Sequence, residues 1–144
     1  MNVGGPIVLI EDDSDDIDIL SMVFADVLNA GNYENEIVII DDSTKALDYL
    51  RSLKTQPFLI ISDINMPRMN GFELRRKIFE DDSLRNKCIP YIFLTTSGND
   101  RDYVNMAYRL SVQGFFKKPS SYNDFISLIS RIVDYWKQSL VAEF

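Results

Sequence analysis

The sequence predicts a doubly wound α/β fold, (βα) repeated five times, with parallel strands in the order 2-1-3-4-5. Three observations support this. Five short apolar runs alternate with helical patterns along the chain. The runs are apolar at consecutive positions, which implies burial on both faces and so a parallel sheet covered by helices on both sides. Polar and charged residues follow four of the five runs, on the edge where open α/β sheets place their sites.

The first run, Ile7–Ile10 (IVLI), lies between Gly4-Gly5-Pro6 and acids. A helix is expected from Ser14 to about Asn29, with Ile17, Leu20, Phe24, Val27 and Leu28 at helical spacing. Asp13 suits its cap, and Asp15, Asp16 and Asp18 suit the positive end of its dipole. Ile37–Ile40 (IVII) is the second run. Ser43 is the expected cap of a helix carrying Ala46, Leu47, Leu50 and Leu53. Phe58–Ile61 is the third run and Leu74, Ile78 and Phe79 mark the third helix; the polar stretch 80–87 reads as a solvated loop. Tyr91–Leu94 is the fourth run. Tyr103, Val104, Ala107 and Leu110 form a helical face expected to end at Gly114. Phe115-Phe116 opens the fifth run. The last helix is expected to start at Ser121, with Asp124 three residues on as in a capping box.

Composition narrows the function. A length of 144 residues with 46% hydrophobic content suits one domain with a substantial core. The net charge of −7 argues against sequence-independent nucleic-acid binding and against an anionic membrane surface. Histidine is absent, which removes Ser-His-Asp catalysis, histidine-ligated zinc and a phosphohistidine carrier. Cys88 is the single cysteine, so no intrachain disulfide forms; this fits a cytoplasmic setting. No signal peptide and no membrane-length apolar run is visible.

The strand order places the first and third strands side by side, so Glu11 and Asp12 converge with Asp63. Three carboxylates in one crevice need a shared proton or a counter-charge. A hard divalent cation such as Mg²⁺ answers with oxygen ligands, open to a phosphate. Thr95 after the fourth strand adds a hydroxyl, and Lys118 after the fifth adds a positive charge. Together they describe a phosphoryl-transfer pocket with Asp63 as nucleophile. Each residue alone has a plainer explanation as a cap or turn; the set at the ends of the right strands is what carries the reading.

From about Pro6 to Trp136 the sequence resembles the receiver domain of two-component response regulators, which is flavodoxin-like in fold. The motif Asp63-Ile64-Asn65-Met66-Pro67 with Gly71 is its most specific part. The resemblance implies that Asp63 is the phosphoacceptor. It implies that Asp12 binds Mg²⁺ (or Mn²⁺) directly, Glu11 largely through water, and Asn65 through its backbone carbonyl. Thr95 and Lys118 would bind the phosphoryl group, and Pro119 would follow a cis peptide bond. Phe115 stands where many members carry a switch tyrosine. Asn65 and Ser97 occupy the positions that tune turnover, and Pro67 and Gly71 shape the loop.

The resemblance further implies a single receiver domain over 1–144, with a core of about 6–136, a tail at 137–144 and no output domain. The partners it implies are a sensor histidine kinase or phosphotransfer protein and a downstream protein. The long loop before Glu36 and the extended tail Tyr135–Phe144 resemble stand-alone, phytochrome-associated regulators, which implies a homodimer through the fourth helix, fifth strand and fifth helix or through the tail, with the apolar Leu140, Val141 and Phe144 as local support. A signalling domain rather than a turnover enzyme is expected. An aspartate-nucleophile phosphatase would want an acid–base aspartate where Asn65 stands, and a phosphorylation-independent binding module would not need the acidic pair and Lys118.

Overall fold

The computed structural model describes residues 3–96 and 100–140. Ser97, Val141 and Phe144 lie outside the described residues. Five strands, β1 (Ile7–Ile10), β2 (Ile37–Ile40), β3 (Leu59–Ser62), β4 (Tyr91–Thr95) and β5 (Gly114–Lys117), form one sheet in the order β2-β1-β3-β4-β5. All four pairings are parallel. The helices are α1 (Ser14–Ala30), α2 (Ala46–Ser52), α3 (Gly71–Glu80), α4 (Arg101–Arg109) and α5 (Tyr122–Gln138).

Side chains alternate across a strand, so each strand feeds two cores. Ile7, Leu9, Leu59, Ile61, Ile92 and Leu94 pack with Leu20 and Phe24 of α1 and Phe125 and Ile129 of α5. Val8, Ile10, Ile60, Tyr91 and Phe93 pack with residues of α2, α3 and α4, among them Leu50, Leu74 and Ala107. The expected two-sided burial holds for β1, β3 and β4. It fails at the edges. Ile39 of β2 is 40% exposed, although its run looks like that of β1 in sequence. An edge strand has a neighbour on one side only, which the run itself does not record.

Several local expectations need correction. Asp42, rather than Ser43, supplies the cap, accepting from the Thr44 N–H ahead of a 3-10 turn at Ser43–Lys45. Ser43 is buried and donates its hydroxyl to the Met69 carbonyl at 2.5 Å. Gly114 does not end α4; it opens β5. The left-handed residue after α4 is Ser111, at φ 59°. Its carbonyl is held by the side chains of Arg75 (3.1 Å) and Gln113 (2.7 Å). The 80–87 stretch is not simply solvated. Leu84 is fully buried, Arg51 pairs with Asp81 at 2.9 Å, and Arg85 Nε donates to the Phe79 carbonyl at 2.6 Å.

The helix-cap expectations fare better. Asp13 caps α1, accepting from the N–H groups of Asp15 (2.9 Å) and Asp16 (3.0 Å). Ser121 caps α5, accepting from the Asp124 N–H at 3.1 Å. At the other end of α5, the Lys137 ammonium lies over the rings of Tyr33 and Phe58 and donates to the Val3 carbonyl and Asn35. This joins the end of the last helix to the first described residues.

Candidate functional site

The strand register builds the site. Ile10 faces Ser62 across the β1–β3 pair, so the next residues, Glu11 and Asp63, come together at the carboxyl edge. Asp63 N donates to the Ile10 carbonyl (3.0 Å) and Glu11 N to the Ile40 carbonyl (3.1 Å), extending both ladders one step past the strands. Thr95 is the last residue of β4 and is fully buried. It faces Lys117, and the Lys118 N–H donates to its carbonyl at 2.9 Å. The pairings that form the sheet therefore also bring Glu11, Asp63, Thr95 and Lys118 to one edge.

Carboxylate oxygens of Glu11, Asp12 and Asp63 all lie within 4.8 Å of one another. Glu11 is buried, Asp63 half-buried and Asp12 exposed. Burial and then the negative charge of Asp63 push Glu11 up to about 7, against the lowering pull of Lys118. A carboxyl held this far from its ordinary value signals a site short of positive charge. Three oxygen donors at this spacing, one open to solvent, fit a divalent cation of the Mg²⁺ or Mn²⁺ kind.

The Lys118 ammonium contacts three carboxylates, at 3.2 Å from Glu11, 3.1 Å from Asp16 and 3.7 Å from Asp63. Burial alone would lower its proton affinity; Asp63, Glu11 and Asp16 together outweigh that and raise it. Asp16 is the residue that sequence reasoning missed. It was assigned with Asp15 and Asp18 to the helix dipole. The signal was its place one turn before Leu20, on the stripe that α1 buries.

The loop after β3 is shaped by close approach. Gly71 donates its N–H to the Ile64 carbonyl at 2.7 Å. A Cβ there would come within 2.8 Å of the Ile64 Cα and nearer still to the Asp63 carbonyl. Only glycine allows the start of α3 to lie against the backbone of Asp63. Asn70 then caps α3 in a full capping box with Glu73. Asn65 and Pro67 sit on the exposed side of this loop, and Arg68, at φ 66°, reaches Asp42 at 3.1 Å. Asp12, Asp42, Met66 and Pro67 help line a cavity of about 220 Å³ beside the three carboxylates.

One expectation changes here. The cis peptide bond is Ile89-Pro90, so the bond before Pro119 is not the cis one expected. Trans is the lower-energy form of an X-Pro bond, and Lys118 reaches all three carboxylates from it. Phe115 is half-buried and meets Phe93 edge-on at 6.1 Å. Phe93 contacts Phe72 (5.5 Å), which contacts Tyr103 of α4 (5.2 Å). An aromatic chain thus runs from β5 through β4 and α3 to α4.

The response regulator receiver domain family matches residues 7–130. The chain belongs to this family. The chain is 27% identical over 139 residues to the response regulator Rcp1 of Synechocystis, covering 93% of this chain and 90% of that protein. The phosphorylated cyanobacterial phytochrome response regulator RcpA superposes with a TM-score of 0.83 at 26% identity, over 96% of this chain and 99% of that one. The Mn(2+)-bound form of Rcp1 superposes with a TM-score of 0.80, also at 26% identity, over 97% and 99%. The fold is therefore the flavodoxin-like receiver fold, and the family acts in two-component signalling as a signalling domain. No helix among the described residues is long and apolar enough to cross a membrane.

Proposed function

We propose that this receiver accepts a phosphoryl group on Asp63 from a sensor histidine kinase or a phosphotransfer protein, with Mg²⁺ (or Mn²⁺) in attendance. The observation that carries this is the register placing Glu11 beside Asp63 with the Lys118 ammonium 3.7 Å away. An Asp63 carboxylate oxygen attacks the phosphorus of the donor phosphohistidine. The phosphorus–nitrogen bond breaks, its electron pair stays on the donor imidazole, and an acyl phosphate forms on Asp63. Glu11, Asp12, Asp63 and the Asn65 carbonyl would hold the cation, which supplies charge neutralisation for the transferring oxygens. Lys118 and the Thr95 hydroxyl bind the phosphoryl oxygens.

The output step follows from packing. Thr95, drawn to the phosphoryl group, leaves space that Phe115 takes by shifting along its contact with Phe93. This alters the face made by α4, β5 and α5. That face supports a partner-binding or homodimer role. Met106 and Tyr108 of α4 are exposed, and Phe116, Ile132, Tyr135 and Trp136 help line an apolar groove of about 460 Å³. We place the protein in the cytoplasm, with residues 1–144 forming one receiver domain. Asn65 and Ser97 tune phosphoryl lifetime, and Pro67 and Pro119 shape the loops beside the site.

Intact mass after incubation with acetyl phosphate and Mg²⁺ tests the proposal. The expected result is one phosphoryl group on wild type and none on Asp63→Asn. Absence of labelling, or equal labelling of both, overturns it. Sustained phosphomonoester turnover instead of stoichiometric labelling would indicate a phosphatase.

A further inference from the structure

Lys118 Nζ has three N–H donors, and two carboxylates lie within hydrogen-bond distance of it: Glu11 at 3.2 Å and Asp16 at 3.1 Å. Asp63, at 3.7 Å, is an ionic neighbour outside that distance. The Lys118 side chain is 7% exposed, so its ammonium depends on these acids for the contacts that water would otherwise supply. Asp16 is placed by the first turn of α1, where its N–H is donated to the capping carboxylate of Asp13 at 3.0 Å. It belongs to neither the family motif nor the three-carboxylate group. Glu11, Asp12 and Asp63 would hold a divalent cation, whose charge would oppose the ammonium, while Asp16 stays outside that set.

From this geometry we propose that Asp16 is a positioning residue. It holds Lys118 on the α1 side of the site and competes for it with the phosphoryl group on Asp63. The proposal rests on the reading of Asp63 as phosphoacceptor. A phosphoryl group on Asp63 draws the ammonium toward Asp63 while Asp16 draws it toward α1, so Asp16 biases the receiver toward its unphosphorylated arrangement. Its removal releases the lysine and favours the occupied form.

The test compares Asp16→Asn with Asp15→Asn, which changes the same charge one residue away at an exposed position. Beryllofluoride with Mg²⁺ serves as the phosphoryl probe, read by calorimetry. Asp16→Asn is expected to bind it roughly 3-fold more tightly than Asp15→Asn does, as for the loss of a partly exposed ion pair. Asp16→Glu, which keeps the carboxylate, should return toward wild type. The NMR signal of the Lys118 ammonium, recorded without beryllofluoride, should shift or broaden in Asp16→Asn and stay in place in Asp15→Asn. Equal binding by the two Asn variants, or an unmoved Lys118 signal, overturns the inference. Failure of wild type itself to bind beryllofluoride overturns the reading of Asp63 instead, while the ammonium signal still reports on the Asp16 contact.

Discussion

Glu11 and Asp63 stand side by side because Ile10 and Ser62 face each other one step earlier in the β1–β3 pair. This adjacency, with burial as the larger cause, sets the proton affinity of Glu11 at about 7.

A pH dependence follows. Glu11 is raised in the folded chain above its ordinary 4.5, so between about 4.5 and 7 the folded state binds more protons than the unfolded state. Its contribution to metal-free stability is therefore present below pH 4.5 and is lost as pH rises toward 7. Divalent cations bind the ionised form, so their affinity should rise over the same window. Urea unfolding of wild type and Glu11→Gln from pH 5 to 8 without metal checks the first point. The difference between the two should change across that window, and a constant difference would contradict it.

Gly71→Ala should damage both fold and site. The added methyl group collides with the Asp63 carbonyl and the Ile64 backbone, which are not flexible side-chain ends. Overpacking of this kind costs about 1–3 kcal/mol. The urea midpoint should fall accordingly, and labelling of Asp63 by acetyl phosphate should slow in the fraction that folds.

Arg75 is almost fully buried, and its contacts among the described residues are carbonyls and rings rather than an acid. Nε donates to the Leu110 carbonyl at 2.9 Å, a second nitrogen to the Ser111 carbonyl at 3.1 Å, and the guanidinium lies 4.9 Å from the Tyr91 ring centre. It ties α3 to the C-terminal end of α4, where a cation is favoured. Arg75→Ala should lose about 3 kcal/mol, combining charge-assisted hydrogen bonds with a cavity. Faster hydrogen exchange at Leu110 and Ser111 than at β1 would localise the loss; uniform exchange would argue against the tie.

Cys88 is fully buried, and burial pushes its thiol up to about 12. The thiolate is the reactive form, so the native chain should resist a thiol reagent at pH 8 and react quickly in urea. Rapid labelling of the native protein would show that the turn at 84–88 opens easily.

The fold was legible because the evidence for it is local. Continuous apolar runs and 3.6-residue stripes record which faces are buried, and β3 lies within one residue of its expected place. Asp13 and Ser121 were legible as caps because a cap bonds within three residues. The misreadings share a different cause. Ser43 is tolerated in the interior because Met69 accepts its hydroxyl, and Leu84 joins the core cluster that includes residues of α2 and α3. Ser111 takes the left-handed position expected of glycine because Arg75, thirty-six positions away, holds its carbonyl.

The candidate site divides in the same way. The residue types after each strand pointed to Glu11, Asp12, Asp63, Thr95 and Lys118, since parallel strands deliver their carboxyl ends to one edge. Asp16 was harder to find: its place on the buried stripe of α1 marked it as facing inward, but only the fold puts Lys118 opposite it.

By itself, then, the sequence determined the alternation of strands and helices, the caps of α1 and α5 and the residue types at the strand ends, all written in short-range patterns. Only the tertiary structure decided that Ile39 of the edge strand β2 stays exposed, that Arg75 secures α4 and that Lys118 is shared between Glu11 and Asp16. Those outcomes depend on contacts between residues far apart in the chain, whose partners are chosen by packing.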